Sequence, residues 1–194
     1  RRERIPQADG VVNPHQQSCP YPFKNLCGGA IAFKTAQALY ETMGIPKEEL
    51  SPFVEAAGLA TVGDVMPLQG ENRILVREAL KRMRNSRIPG LRALMEVCGL
   101  KPEQVGSYHL GFVIGPCLNA GGRLDTAKKS LALLLSESEE EAREAAWELK
   151  ALNDRRKDMT AENVEAAVYY IEETGIREDD VYVVFLPECH ESLA

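Results

Sequence analysis

Residues 138–175 read SEEEAREAAWELKALNDRRKDMTAENVEAAVYYIEETG. Ser138 with Glu141 three residues later is a capping box, in which an N-cap hydroxyl and an N3 carboxylate satisfy each other's backbone amides. No Gly or Pro interrupts the stretch until Gly175, and glycine is the common residue just past a helix end. Ala145, Leu149, Leu152, Arg156, Met159, Asn163, Ala166 and Tyr170 form one seam, alternately four and three residues apart. The pattern predicts one uninterrupted helix from Glu139 to Thr174, about 54 Å long at 1.5 Å per residue. The polar seam residues Arg156 and Asn163 suit a partly exposed span better than a coiled-coil core. So long a helix in a 194-residue chain is expected to bridge two bodies.

Helical spacing recurs upstream. Cys27–Met43 places Ile31, Ala32, Thr35, Ala38, Leu39 and Met43 on one face and stops at Gly44. Pro46–Val62, Glu71–Asn85, Pro89–Cys98 and Thr126–Leu135 also read as helices. Pro14–Leu26 reads as a loop, and Gly106–Gly115 as strand or irregular. Ala8–Asn13 and Val181–Leu186 are short apolar runs expected to be strands.

Composition is that of a folded protein, with 44% hydrophobic and 27% charged residues. No apolar run reaches the ~18–20 residues of a membrane helix. The N-terminus has no apolar secretory segment. Absence of an initiator Met, and apolar segments close to both ends, suggest a piece of a longer chain. Five cysteines at 19, 27, 98, 117 and 189 form no Cys-x-x-Cys pair. Reduced thiols in the cytoplasm are expected rather than a zinc site or disulfide frame. The net charge, 23 − 29 = −6, argues against a protein that coats duplex DNA. A local basic patch is still compatible with nucleic acid.

Four places carry possible chemistry. Asp64 lies among apolar residues at an element's end, where it is either a turn or capping residue or a functional carboxylate. Arg73, Arg77, Lys81 and Arg84 form a helical stripe, and residues 71–92 hold seven basic and two acidic side chains, a net of +5. The stripe either holds phosphates or is a solvated face. Gly28-Gly29 suits tight packing or a phosphate. Gly115–Asp125 (GPCLNAGGRLD) places Gly121 and Gly122 beside Arg123 before a helix, where free amides and a guanidinium could hold an anion.

Several segments then line up with one family. Asp9–His15, Cys19–Lys24 and Leu26–Lys34 resemble the region after the Asp-His-His motif of RecJ-type single-strand exonucleases, in the DHH phosphoesterase superfamily. Ala60–Leu68 with Glu71–Arg73 is similar to that family's fourth metal-site motif. Gly115–Leu124 resembles its Asn-Ala-x-Gly-Arg motif, and Cys189–Ala194 the start of a His-containing motif in the DHH-associated domain. The order is the family's. The family's Asp-x-Asp, Asp-His-His and late Gly-Gly-His motifs are not in this sequence.

The resemblance implies an α/β fold that is mainly helical in this stretch. Residues 1–86 would be the C-terminal half of a parallel-sheet DHH domain and 87–136 a helical region. Residues 137–175 would be the connecting helix, and 176–194 the first strand of the DHH-associated domain. It implies a metal-dependent 5′-to-3′ single-stranded-DNA exonuclease of repair and recombination, using Mn or Mg in the full-length parent. Asp64 would be a catalytic metal ligand, and Asn119, Gly121, Gly122 and Arg123 would contact the strand. This chain alone is expected to be inactive and to bind no metal stably. Single-stranded DNA is the expected partner, with no membrane and no protein partner assigned. Alternatives are another DHH phosphoesterase, acting on oligonucleotides or cyclic dinucleotides, and a non-catalytic Cdc45-like scaffold.

Overall fold

The structure, a computed structural model, describes residues 7–174 and 181–190. It is built from helices: α1 (Gly28–Met43), α2 (Ser51–Gly63), α3 (Gly70–Met83), α4 (Pro89–Val97), α5 (Ser107–His109), α6 (Gly115–Leu124), α7 (Ala127–Leu135) and α8 (Glu139–Thr174). Lys47–Leu50 and Pro102–Gln104 are short 3-10 turns, and Leu110–Ile114 is a π-helical turn that joins α5 to α6.

The expected sheet is not there. No described residue is in a strand. Ala8–Asn13 is irregular, and so is Val181–Leu186, where Val183 is 96% exposed. A strand exists only when a neighbour takes up its backbone N–H and C=O groups. No second extended segment among the described residues lies beside either run. Within these residues the fold class is therefore all-helical rather than α/β. Gly175, the first part of 176–194, and residues 191–194 of the His-containing segment lie outside the described residues.

The helices follow the sequence more closely. Cys27 caps α1, its Sγ accepting from the amide of Ala30 at 3.4 Å, and Gly44 ends it with φ +67°. α1 packs on α2 and α2 on α3. The α2–α3 approach is close because Gly58 has no side chain: a Cβ there would lie 2.2 Å from the Cβ of Ala79. Gly29 does the same between α1 and α2, where a Cβ would lie 2.6 Å from that of Ala60. That pair resolves to packing at Gly29.

α8 is one unbroken helix over the expected range. Ser138 caps it, its hydroxyl accepting from the amide of Glu141 at 3.3 Å. Its buried face is Ala142, Ala146, Leu149 and Asn153, with Ala145 and Leu152 at the margin. That face is rotated slightly from the expected seam, because the small Ala142 and Ala146 let α4, α6 and α7 come close. Met83, Leu91, Leu94, Met95, Leu110, Ile114 and Leu133 complete the core. Beyond Asn153 no residue of α8 is fully buried. Asn163 there donates to Sγ of Cys189 at 3.4 Å, which ties the 181–190 segment to the helix.

Residues 107–124 are helical throughout, where the sequence left 106–115 open. Leu110, Ile114, Cys117 and Ala120 are buried at spacings of four, three and three. Pro116 has no N–H to give to the helical ladder. The ladder shifts just before it, and the amide of Gly115 donates to the carbonyl of Leu110, five residues back. Gly115 permits this, since a Cβ would sit 2.7 Å from that same oxygen.

Candidate functional site

Asp64 is the C-cap of α2 and is exposed. The amide of Met66 donates to the carbonyl of Thr61 at 3.1 Å, and that of Val65 to Val62 at 3.0 Å. This pair of bonds is the Schellman ending, whose left-handed residue is usually glycine. Here that residue is Val65, with φ +53° and its side chain 88% exposed. A left-handed conformation costs an L-residue about 1–2 kcal/mol, and branching at Cβ makes it rarer still. Asp64 carries a second unfavourable feature, because an anion at a helix C-terminus faces the negative end of the helix dipole. A strained turn and a misplaced carboxylate side by side mark this as a place where the fold is not optimised for its own stability.

Polar tethers hold the segment after it. The side-chain amide of Asn72 donates to the carbonyls of Pro67 at 3.0 Å and Asn25 at 2.6 Å, fastening the 64–69 loop to the end of the N-terminal loop. Its Oδ1 is buried with no hydrogen-bond partner among the described residues. Beside it, Tyr21 donates to both carboxylate oxygens of Glu71, at 2.9 and 2.8 Å, and Lys34 pairs with Glu71 at 2.7 Å. Burial pushes the Glu71 carboxyl up, but Lys34 and Tyr21 outweigh it and hold its pKa below the usual range. Cys27 Sγ meets the hydroxyl of Thr61 at 3.6 Å, beneath the same loop. Residues 19–24, 26–34 and 60–73 are thus held together by these contacts. The sequence reading quoted Tyr21, Lys34, Glu71 and Asn72 within its motifs and gave them no role. Their signal is polar residues of complementary chemistry in separate segments, which spacing alone does not pair.

Asn119, Gly121, Gly122 and Arg123 lie inside α6 rather than in a loop before a helix. The amides of Gly121 and Gly122 belong to the helical ladder, so the expected cradle of free amides is absent. Gly121 is a packing residue: a Cβ would lie 3.0 Å from Ser130 Oγ and 3.1 Å from Leu149 Cδ2. Asn119, Gly122 and Arg123 are exposed, at the i, i+3 and i+4 positions of one face. Asp125, just past Arg123, pairs with Lys129 at 2.6 Å. α2 and α6 are in contact, so the Asp64 turn and the α6 face belong to one packed unit.

No group of three or more His, Cys, Asp or Glu side chains able to hold a metal is found among the described residues. Magnesium and manganese prefer about six oxygen donors, and Asp64 supplies at most two. The described residues do not form a metal centre by themselves. The five cysteines are free.

No family model matches the chain. It is 38% identical over 167 residues to the single-stranded-DNA-specific exonuclease RecJ of Salmonella typhimurium, covering 81% of this chain and 29% of the relative. It is 40% identical over 168 residues to RecJ of Haemophilus influenzae, covering 82% and 29%. With RecJ of Bacillus subtilis it shares 34% over 179 residues, covering 92% and 22%. The structure superposes on Thermus thermophilus RecJ in complex with Mg2+ with a TM-score of 0.77 at 32% identity, covering 90% of this chain and 27% of that one. The chain is of the RecJ type. It superposes also on an exonuclease RecJ bound to manganese, with a TM-score of 0.75 at 33% identity, covering 90% and 43%. It spans less than a third of the length of these three curated RecJ relatives. The fold is thus shared with a segment of RecJ over most of this chain. No described helix is long and apolar enough to cross a membrane.

Two outcomes test this geometry. Val65→Gly should raise stability by about 1 kcal/mol, read as a higher Tm, because glycine adopts the left-handed conformation without strain. Glu71→Gln should cost about 1 kcal/mol at neutral pH, a charge-assisted contact discounted for partial exposure. Glu71 has a lowered folded pKa, so its contribution is present above the unfolded carboxylate pKa and lost as pH falls through the folded one. The difference between the two proteins should therefore vanish in acid, as denaturant melts across pH will read.

Proposed function

We propose that this chain is part of a metal-dependent exonuclease that degrades single-stranded DNA from the 5′ end, in DNA repair and recombination. The observation that carries the reading is the combined match to RecJ proteins in sequence and in fold, with three of the segments quoted for the resemblance, 19–24, 26–34 and 60–73, held together by polar contacts. In this reading Asp64 supplies one carboxylate to a centre of divalent metals whose other ligands lie outside this chain. The metal supplies an activated water and charge stabilisation at phosphorus when bound. The strained α2 ending supports the role, since a cation beside Asp64 would relieve its clash with the helix dipole.

Arg123 is the second functional residue in the proposal. It projects from the exposed face of α6 with Asn119 one turn before it. A guanidinium there can grip a phosphate by two parallel hydrogen bonds, and Asn119 can add a donor. Gly121 and Gly122 take part as spacers: one seats α6 against α8, and the other keeps the face low beside Arg123. The 1–86, 87–136, 137–175 and 176–194 divisions stand as the proposed domain plan, with α8 as the connector. Five free thiols suit a reducing cytoplasm.

The full-length protein that carries this chain should degrade 5′-phosphorylated single-stranded DNA with manganese, and the isolated chain should not. Asp64→Ala should lower kcat by about 100-fold or more, a loss of roughly 3 kcal/mol of charge stabilisation, with an unchanged or higher Tm. Full activity in that variant would remove Asp64 from the metal centre. Arg123→Ala should weaken single-strand binding by about 1.5–3 kcal/mol and make the salt slope of log K shallower by about 0.7. A lower Tm with unchanged binding would make Arg123 structural.

A further inference from the structure

Arg73, Arg77 and Lys81 on α3 and Arg84 at its C-cap are all exposed, and they line a groove of about 630 Å3 that Leu68, four residues after Asp64, also lines. Ser107 lines it too, and so does one acid, the half-buried Glu78. None of the four cations forms an ion pair or hydrogen bond with a described residue. Lys34, Arg92, Lys129 and Lys150, by contrast, are each paired with a carboxylate. Like charges three or four residues apart on a helix repel, and this row forms no ion pair with a described residue. Four residues advance about 6 Å along a helix, close to the separation of neighbouring phosphates on an extended single strand.

Ser107 opens the helical run that carries Tyr108 and Phe112. Their rings are 65% and 70% exposed, with centroids 5.0 Å apart and planes 27° from parallel. The backbone between the two rings lies close to the end of α2, since a Cβ on Gly111 would lie 3.4 Å from Val62, two residues before Asp64. A positive groove beside exposed aromatic faces is the constellation that binds single strands without sequence preference, phosphates in the groove and bases on the rings. A duplex keeps its bases stacked inside and offers the rings nothing to stack on.

The geometry points to a single-strand track that leads away from the Asp64 turn: the α3 cations hold successive phosphates, and the Tyr108–Phe112 stack receives an unpaired base. The inference rests on the single-strand reading of the function and extends it to a second contact surface. It makes the affinity for DNA a property of the strand beyond its reacting end.

The test is binding of a labelled oligodeoxynucleotide by the full-length protein without divalent metal, followed by fluorescence anisotropy over a salt series. Arg77→Ala/Lys81→Ala/Arg84→Ala should make the slope of log K against log salt shallower by about 2, three contacts at roughly 0.7 each. Tyr108→Ala/Phe112→Ala should bind a normal strand about tenfold more weakly, with an unchanged slope, and an abasic sugar-phosphate strand equally well. Unchanged affinity and slope in both variants would overturn the track while the unaltered protein still binds, leaving the function intact. Aromatic substitutions that lower Tm and leave binding alone would show the rings covered by another part of the protein, and would also overturn it. So would equal affinity for duplex and single strand. An unaltered protein that binds no single strand would overturn the track and the proposed function together.

Discussion

Ala142 and Ala146 have no exposed surface, and their small size lets α4, α6 and α7 close on the first turns of α8. The rest of the packing depends on that approach. Leu149, one turn on, meets the backbone of α6 at Gly121, and so fixes which side of α6 faces out. A larger side chain at any of these positions would separate the helices and expose the apolar residues behind them. The orientation of Asn119 and Arg123 is thus a consequence of how Gly121, between them, packs against α8.

The Asp64 turn is built by other means. Its neighbourhood is held by directed polar contacts: Asn72 to two carbonyls, Tyr21 and Lys34 to Glu71, Cys27 to Thr61. Directed contacts fix a loop's position without the area a core needs, and they leave its tip in water. The tip can then carry features a core would reject, a valine in a left-handed turn and an acid at the wrong end of a helix. Rigid apolar packing on one side and a tethered, strained turn on the other is a division of labour that suits the role proposed for Asp64.

Much of the fold was legible because helices announce themselves locally. Ser138 and Glu141, an absence of Gly and Pro, and Gly44 after Met43 each act within a few residues. The strand expectation at 181–186 failed because an apolar run does not state whether it has a neighbour to pair with. The region 106–115 was missed because Gly115-Pro116 reads as a breaker, whereas the π turn absorbs the missing N–H and keeps the helix going. Gly121 and Gly122 misled for a related reason: two glycines before an arginine look like a loop unless Leu149 is known to lie against one of them. For the site, Asp64 was legible as a residue at the end of an element. Its partners were not, since Glu71 finds Tyr21 only through folding, 50 positions away.

The π turn also sets a rule for how this region can change. Each residue of an α-helix turns the chain by about 100°. In a regular helix Tyr108, Phe112, Asn119 and Arg123 would lie close to one line, seven and eleven residues being near whole numbers of turns. The extra residue at Leu110–Ile114 breaks that line and gives the aromatic pair and the polar pair different outlooks from one continuous rod. Point substitutions along the rod are tolerable wherever they respect burial. Loss of a single residue between His109 and Pro116 would turn the π turn into an ordinary α turn and leave the downstream face in place, whereas loss of one between Pro116 and Gly121 would rotate that face and drive a side chain into the space that Gly121 leaves for Leu149. Length can therefore change by one residue at the π turn, and not in the stretch from Pro116 to Gly121.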